Sequence, residues 1–128
     1  RQTKVEFNKF AEKLPVNGNL EQLQQIVLNL TMNAADALAA LPPHSRRIVI
    51  ETNVRENGAR ELAVSDCGEG IPPELRADAF EPFVSGKENG MGLGLAICRS
   101  IAQAHGGTLD FDDRATDVTR IVLTLPPV

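Results

Sequence analysis

A run of apolar residues broken by one line of amides, from Asn19 to the Pro42-Pro43 pair, dictates how the remainder of the chain must be arranged. Asn19 is a good N-cap, Gln22 stands three residues on in the capping-box position, and the prolines end whatever helix begins there. This predicts a helix from Leu20 to Leu41. At about 100° per residue, Gln22, Gln25, Asn29, Asn33 and Asp36 fall into one narrow polar stripe. Leu23, Ile26, Val27, Leu30, Ala34, Ala37, Leu38 and Leu41 form a broad apolar face, while Leu28 and Met32 lie on the far flank of the stripe. A solvated stripe would carry Lys and Glu in i,i+4 pairs. Uncharged amides are poorer helix formers and costly if buried unpaired, so Asn29 and Asn33 need a partner.

Around this helix the chain alternates strand and turn patterns. Short strands are predicted at Thr3 to Phe7, Arg47 to Val54 and Glu61 to Ser65, the last two joined as a hairpin through Glu56-Asn57-Gly58. Asp66 to Pro73 reads as loop, Leu75 to Phe80 as one helical turn, and Val84 to Gly92 as a mobile stretch with few apolar anchors. From Gly94 the spacing of Leu95, Ile97, Cys98, Ile101, Ala102 and Ala104 is helical, and Gly106-Gly107 ends that helix. Thr108 to Asp112 and Val118 to Leu125 close the chain as a second hairpin, with a polar turn at Asp113 to Asp117. The expected fold class is α/β, one mixed sheet with helices on one face, in a single domain over residues 1–128. The 128 residues suffice to bury a core without staples. A net charge of -4 with no basic run argues against a nucleic-acid partner, and Cys67 and Cys98 are too isolated for a disulfide framework or zinc site. No apolar run reaches the roughly 20 residues of a membrane span, so the domain is expected to be soluble and cytoplasmic. Opening at Arg1 already in a strand pattern, it reads as a piece of something longer.

Three constellations bear on chemistry. Asn29 and Asn33 either cap a neighbouring loop or helix, or place two side-chain oxygens one turn apart to hold a hydrated Mg²⁺, a hard ion that takes few protein ligands. Asp66-Cys67-Gly68-Glu69-Gly70 follows a strand directly. It is either an ordinary acidic turn or a carboxylate placed to accept a purine amino hydrogen beside glycines that allow close approach. Gly90-Met91-Gly92-Leu93-Gly94-Leu95 runs into the second helix, where backbone N–H groups and the helix dipole suit phosphate oxygens, with Lys87 just before as a flexible cation. A Walker A loop would need Ser or Thr after Gly86-Lys87, where Glu88 stands, and a Rossmann loop should follow a strand. A plain flexible linker is the competing reading of the glycines.

Taken in order and joined by Ala79-Phe80-Glu81-Pro82-Phe83, these pieces resemble the N, G1, F and G2 boxes of histidine-kinase catalytic domains, over nearly the whole chain. The superfamily is shared with gyrase, a heat-shock chaperone and a mismatch-repair ATPase. The resemblance implies a two-layer α/β sandwich of the Bergerat type, with ATP between helices and sheet. It further implies Mg²⁺ on Asn33 helped by Asn29, and adenine read by Asp66 in a pocket shaped by Gly68, Gly70 and Ile71. Gly90, Gly92, Leu93 and Gly94 would line the phosphates, Phe80 and Phe83 would anchor a lid, and Lys87 would reach the γ-phosphate. The ATPases carry a glutamate where this chain has Asn29, and an amide cannot act as a general base. The expected reaction is therefore γ-phosphoryl transfer to an imidazole of a separate dimerisation and phosphoacceptor domain of the same protein, rather than hydrolysis. Neither His44 nor His105 resembles the family's phosphoacceptor segment. A response regulator is the implied indirect partner; the chain alone is expected to be a monomer and the full-length protein a homodimer. Asp36 stands where many relatives carry a cation, and Ser85-Gly86-Lys87 replaces a frequent Thr-Thr-Lys. An anti-sigma-type serine kinase and a non-catalytic nucleotide-binding module are the alternatives from the same superfamily.

Overall fold

The computed structural model describes residues 4–8, 15–39, 41–42, 45–67, 94–112 and 119–128. The elements are β1 (Lys4–Asn8), α1 (Leu20–Leu38), β2 (Arg47–Val54), β3 (Arg60–Asp66), α2 (Gly94–Ala104), β4 (Thr108–Phe111) and β5 (Thr119–Leu125). The strands form one five-stranded sheet in the order β1-β2-β3-β5-β4. β1 pairs parallel to β2, and every other pairing is antiparallel, so the sheet is mixed as the strand patterns predicted. The predicted turn at Leu75 to Phe80, the stretch from Val84 to Gly92 and the polar turn at Asp113 to Asp117 lie outside the described residues.

The alternation of side chains along each strand divides the sheet into an apolar and a polar face. Ile48 and Ile50 of β2, Val64 of β3, Leu109 of β4 and Ile121, Leu123 and Leu125 of β5 are buried in one cluster with Ile26, Leu30, Ala34 and Leu38 of α1 and Leu95, Cys98 and Ala102 of α2. Both helices therefore cover the same face. The helix residues repeat every three or four positions, so each helix buries a single stripe, and truncating a fully buried member such as Leu30 costs about 2–5 kcal/mol. Leu28 and Met32, on the far flank of the amide stripe, remain 58% and 45% exposed. The opposite face of the sheet carries Glu6, Arg47, Glu51 and Arg120, paired as Glu6–Arg47 and Glu51–Arg120.

α1 stops at Leu38, three residues short of the predicted Leu41, and the residues just after it bond in other ways. Ala39 N–H turns back to Asp36 O at 3.2 Å, and Leu41 N–H to Leu38 O at 2.9 Å, tightening the final turn. The Arg46 guanidinium then donates to Leu41 O at 3.0 Å and Ala39 O at 3.1 Å. This cation terminates the helix from beyond the prolines and ties its C-terminal end to the start of β2.

At the other end, Asn19 caps α1 through its side-chain oxygen, which accepts from Gln22 N–H at 3.0 Å. The Asn19 N–H is taken by His105 Nε2 at 3.0 Å. Because that N–H can only donate, Nε2 must be the acceptor, and Nδ1 carries the proton it donates to Ile101 O at 2.8 Å. The His105 ring thus sits in one neutral tautomer and joins the start of α1 to the end of α2. A Schellman turn holds it there: Gly107 N–H bonds Ala102 O at 2.8 Å and Gly106 N–H bonds Gln103 O at 3.0 Å, with Gly106 at φ 76°. Gly107 has no room for a side chain, since a Cβ would fall on the Thr124 carbonyl.

Two expectations follow. His105→Ala leaves the Asn19 N–H without its partner and should lower the unfolding free energy by about 1–2 kcal/mol in urea titrations, and Gly107→Ala should cost about 3 kcal/mol by overpacking against β5. On the sheet edge, Arg47 hydrogen-bonds Glu6 and holds its carboxyl below the usual range. That contribution is present above the ordinary carboxylate range and is lost as pH falls through the lowered value. Stability measured from neutral to strongly acid pH should therefore fall more steeply in the wild type than in Glu6→Gln.

Candidate functional site

The helices run antiparallel, and two contacts fix their register. Asn19 meets His105 at one end, and Asn29 Nδ2 donates to Cys98 Sγ at 3.5 Å near the middle. Continuing one turn along α1 reaches Asn33, and one turn back along α2 reaches Gly94, the first residue of that helix. The α2 N-terminus, with its outward N–H groups, therefore lies at the end of the sandwich that carries Asn33.

The sheet brings its own polar groups to this end. Strand alternation puts Asp66 on the helix-facing side with Leu62 and Val64, and its position as the last residue of β3 sets it at the rim. It is only 4% exposed, flanked in register by Ile48 of β2 and Thr119 of β5. Thr119 is buried too, and its hydroxyl oxygen has no hydrogen-bond partner among the described residues. A buried hydroxyl without a partner typically costs about 1–3 kcal/mol.

Along α1 the amide stripe is graded. Gln22 and Gln25 are exposed, whereas Asn29, Asn33 and Asp36 are half-buried. The stripe therefore turns from solvent into the cleft as it nears Asp66. Burial pushes the Cys98 thiol up from its ordinary pKa, with the Asn29 N–H opposing, so it is a neutral thiol at physiological pH. Cys67, beyond Asp66, is exposed, and its thiol donates to Ser45 O at 3.0 Å.

Of the residues singled out from sequence, Asn29 meets α2 near the middle of the helix pair, Asn33 lies one turn further toward the end where Gly94 begins α2, and Asp66 is buried at the end of β3. Gly68, Gly70, Ile71, Phe80, Phe83, Lys87, Gly90, Gly92 and Leu93, and also His44, lie outside the described residues. Thr119, Cys98 and Arg46 were not singled out, since a threonine in a strand, a cysteine in a helix stripe and an arginine after two prolines are all ordinary in sequence. No group of three or more His, Cys, Asp or Glu side chains suited to a metal occurs among the described residues. The donor set is instead two neutral amides one turn apart. That fits Mg²⁺, which takes one or two protein oxygens and keeps water and phosphate oxygens, and does not suit an ion needing an all-protein cage. An apolar cavity of about 170 Å³, lined by Val16, Leu23, Val27, Leu62 and Leu125 among others, opens under the opposite end of α1, away from these groups. No described helix is long and apolar enough to cross a membrane.

Residues 18–128 match the family described as histidine kinase-, DNA gyrase B-, and HSP90-like ATPase. The chain is 39% identical over 114 residues to the sensory histidine kinase/phosphatase NtrB of Azospirillum brasilense, covering 78% of this chain and 28% of that protein. It is 35% identical over 106 residues to the sensor protein TdiS of Thauera aromatica, covering 82% of this chain and 19% of that one. It thus spans less than a third of either relative. Among solved structures, the mycobacterial sensor histidine kinase MprB superposes with a TM-score of 0.82 at 32% identity, over 99% of this chain and 86% of that chain. The catalytic domain of histidine kinase ThkA also gives 0.82, at 27% identity, over 98% of this chain and 79% of that chain. With these matches and the two-layer α/β architecture in agreement, the chain belongs to the histidine kinase-, DNA gyrase B-, and HSP90-like ATPase family as an ATP-binding domain of the sensor histidine kinase type.

Proposed function

We propose that this chain binds Mg–ATP and donates its γ-phosphoryl group to a histidine on a helical dimerisation and phosphoacceptor domain of the same protein, which then serves a response regulator. The observation that carries this reading is the amide pair Asn29 and Asn33, half-buried at the end of the cleft where Asp66, Thr119 and the α2 N-terminus converge. Asn33 and Asn29 would hold Mg²⁺ through their carbonyl oxygens; when bound, the ion neutralises phosphate charge. Asp66 would accept the amino hydrogen of adenine, and Thr119 Oγ1 would complete that polar patch. Gly94, with Gly90, Gly92 and Leu93 before it, would bring backbone N–H groups to the phosphates, and Lys87 would add a cation. Gly68, Gly70, Ile71 and Phe83 would enclose the base.

The role left to this domain is positioning and charge neutralisation. In the transfer, the bond from Pγ to the bridging oxygen breaks, a P–N bond to the acceptor imidazole forms, and ADP leaves. Asn29 bears no carboxylate to activate water, which supports transfer over hydrolysis. Both ring nitrogens of His105 are engaged between the helices, so it is not available as an acceptor. Attachment to a membrane and homodimerisation would be supplied through other parts of the full-length protein.

Three outcomes test the reading. Asn33→Ala should lower phosphorylation of a cognate helical histidine domain supplied in trans by about 100-fold or more; transfer unchanged from wild type would refute the metal assignment. Asp66→Asn should weaken ATP binding by about tenfold or more in calorimetry, because a charge-assisted hydrogen bond is lost. Thr119→Val removes an unsatisfied hydroxyl, so it should weaken nucleotide binding while leaving the free chain as stable as wild type or more so. Tight nucleotide binding with no transfer to any histidine domain would instead indicate a nucleotide-responsive regulatory module.

A further inference from the structure

We propose that Cys98 is a positioning residue for the magnesium end of the site: its thiol sulfur holds one N–H of the Asn29 amide and thereby presents the Asn29 carbonyl oxygen as the metal-facing acceptor. The inference rests on the reading of Asn29 given above. Cys98 is fully buried, on the stripe of α2 that it shares with Leu95 and Ala102. A position of that size and polarity accepts a small aliphatic side chain equally well; what a thiol adds is a polar partner, weak both as S–H donor and as sulfur acceptor, and here Asn29 Nδ2 is the donor and the sulfur the acceptor. Asn29 Nδ2 meets that acceptor at 3.5 Å, within range for sulfur, across a sequence separation of 69 residues.

The chemistry of a primary amide gives the contact its consequence. Oxygen and nitrogen sit on two branches of one planar group of nearly symmetrical shape, so packing alone scarcely distinguishes one orientation from its flipped form, and the hydrogen-bond partners decide. With the nitrogen held on α2, the oxygen takes the other branch, away from the thiol. Mg²⁺ accepts oxygen and not an N–H, so only this orientation can serve as ligand or bond a metal-bound water. Without an acceptor at position 98 the two orientations compete, and the apparent metal affinity falls with the competent fraction. Asn33 lies one turn further along α1, opposite the first turn of α2, so this sulfur can order Asn29 without bearing directly on its neighbour.

The test compares Cys98→Val, Cys98→Ala and Cys98→Ser with wild type in the same 128-residue chain. A non-hydrolysable ATP analogue is titrated with magnesium and again with chelator, and the Asn29 side-chain amide is followed by NMR in the metal-free protein. Cys98→Val and Cys98→Ala should weaken analogue binding by about three- to tenfold with magnesium, leave it unchanged with chelator, and erase the shift difference that hydrogen bonding imposes between the two Asn29 amide protons. Cys98→Ser, which keeps an acceptor, should stay within about twofold of wild type. Thermal unfolding of each variant checks the fold, and Cys98→Ala stands in if the bulk of valine is not accommodated. Equal losses with and without magnesium, or wild-type behaviour in both apolar variants, would overturn the proposal. If wild-type binding ignores magnesium, the metal reading fails with it, while the NMR arm still reports separately whether Cys98 orders Asn29.

Discussion

The antiparallel packing of α1 on α2 is the constraint on which the remaining geometry rests. α1 buries Ile26, Leu30, Ala34 and Leu38 against the sheet and must at the same time deliver Asn29 and Asn33 to the cleft. Helical periodicity fixes the angle between those two sets of residues, so once the apolar stripe is seated the amides have one place to go. α2 then sets how deep the cleft is and where its N-terminus falls. The His105 ring and the Asn29–Cys98 contact hold that register at two heights, and Arg46 anchors the far end of α1 to the sheet. A slip of α1 by one residue would rotate Asn33 by about 100° about the helix axis.

Asp66 and Thr119 are paired neighbours at the ends of their strands. Leu62 and Val64 of β3 pack under the helices, while Asp66, next on the same face, reaches the rim with Ile48 and Thr119 beside it. A buried hydroxyl without a partner, as at Thr119 among the described residues, lowers stability. At the opposite end the layers are joined through N-cap, Schellman turn and histidine.

Much of this was legible locally. Asn19 located the start of α1, although His105 and not the Gln22 side chain takes its N–H, while Gly106-Gly107 located the end of α2 and Glu56-Asn57-Gly58 the β2–β3 turn, because capping and turn chemistry act over a few residues. β2 was placed residue for residue, and the remaining described strands within about one position. The end of α1 was misjudged because the prolines suggest only where a helix must have stopped. The Arg46 guanidinium, which rewards stopping earlier, approaches from beyond them.

Residue order alone established that two amides ride a helix flanked by hydrocarbon, that an acid ends a strand, and that glycines lead into a second helix. These follow from periodicity and turn propensity, which any short window of residues contains. Tertiary structure decided which partners meet: Thr119 beside Asp66, Cys98 under the Asn29 amide, and His105, 86 residues away in sequence, on the Asn19 N–H. Such pairings depend on strand order and helix register. Those are set by how all the apolar faces can be buried together, and no local stretch of sequence carries that information.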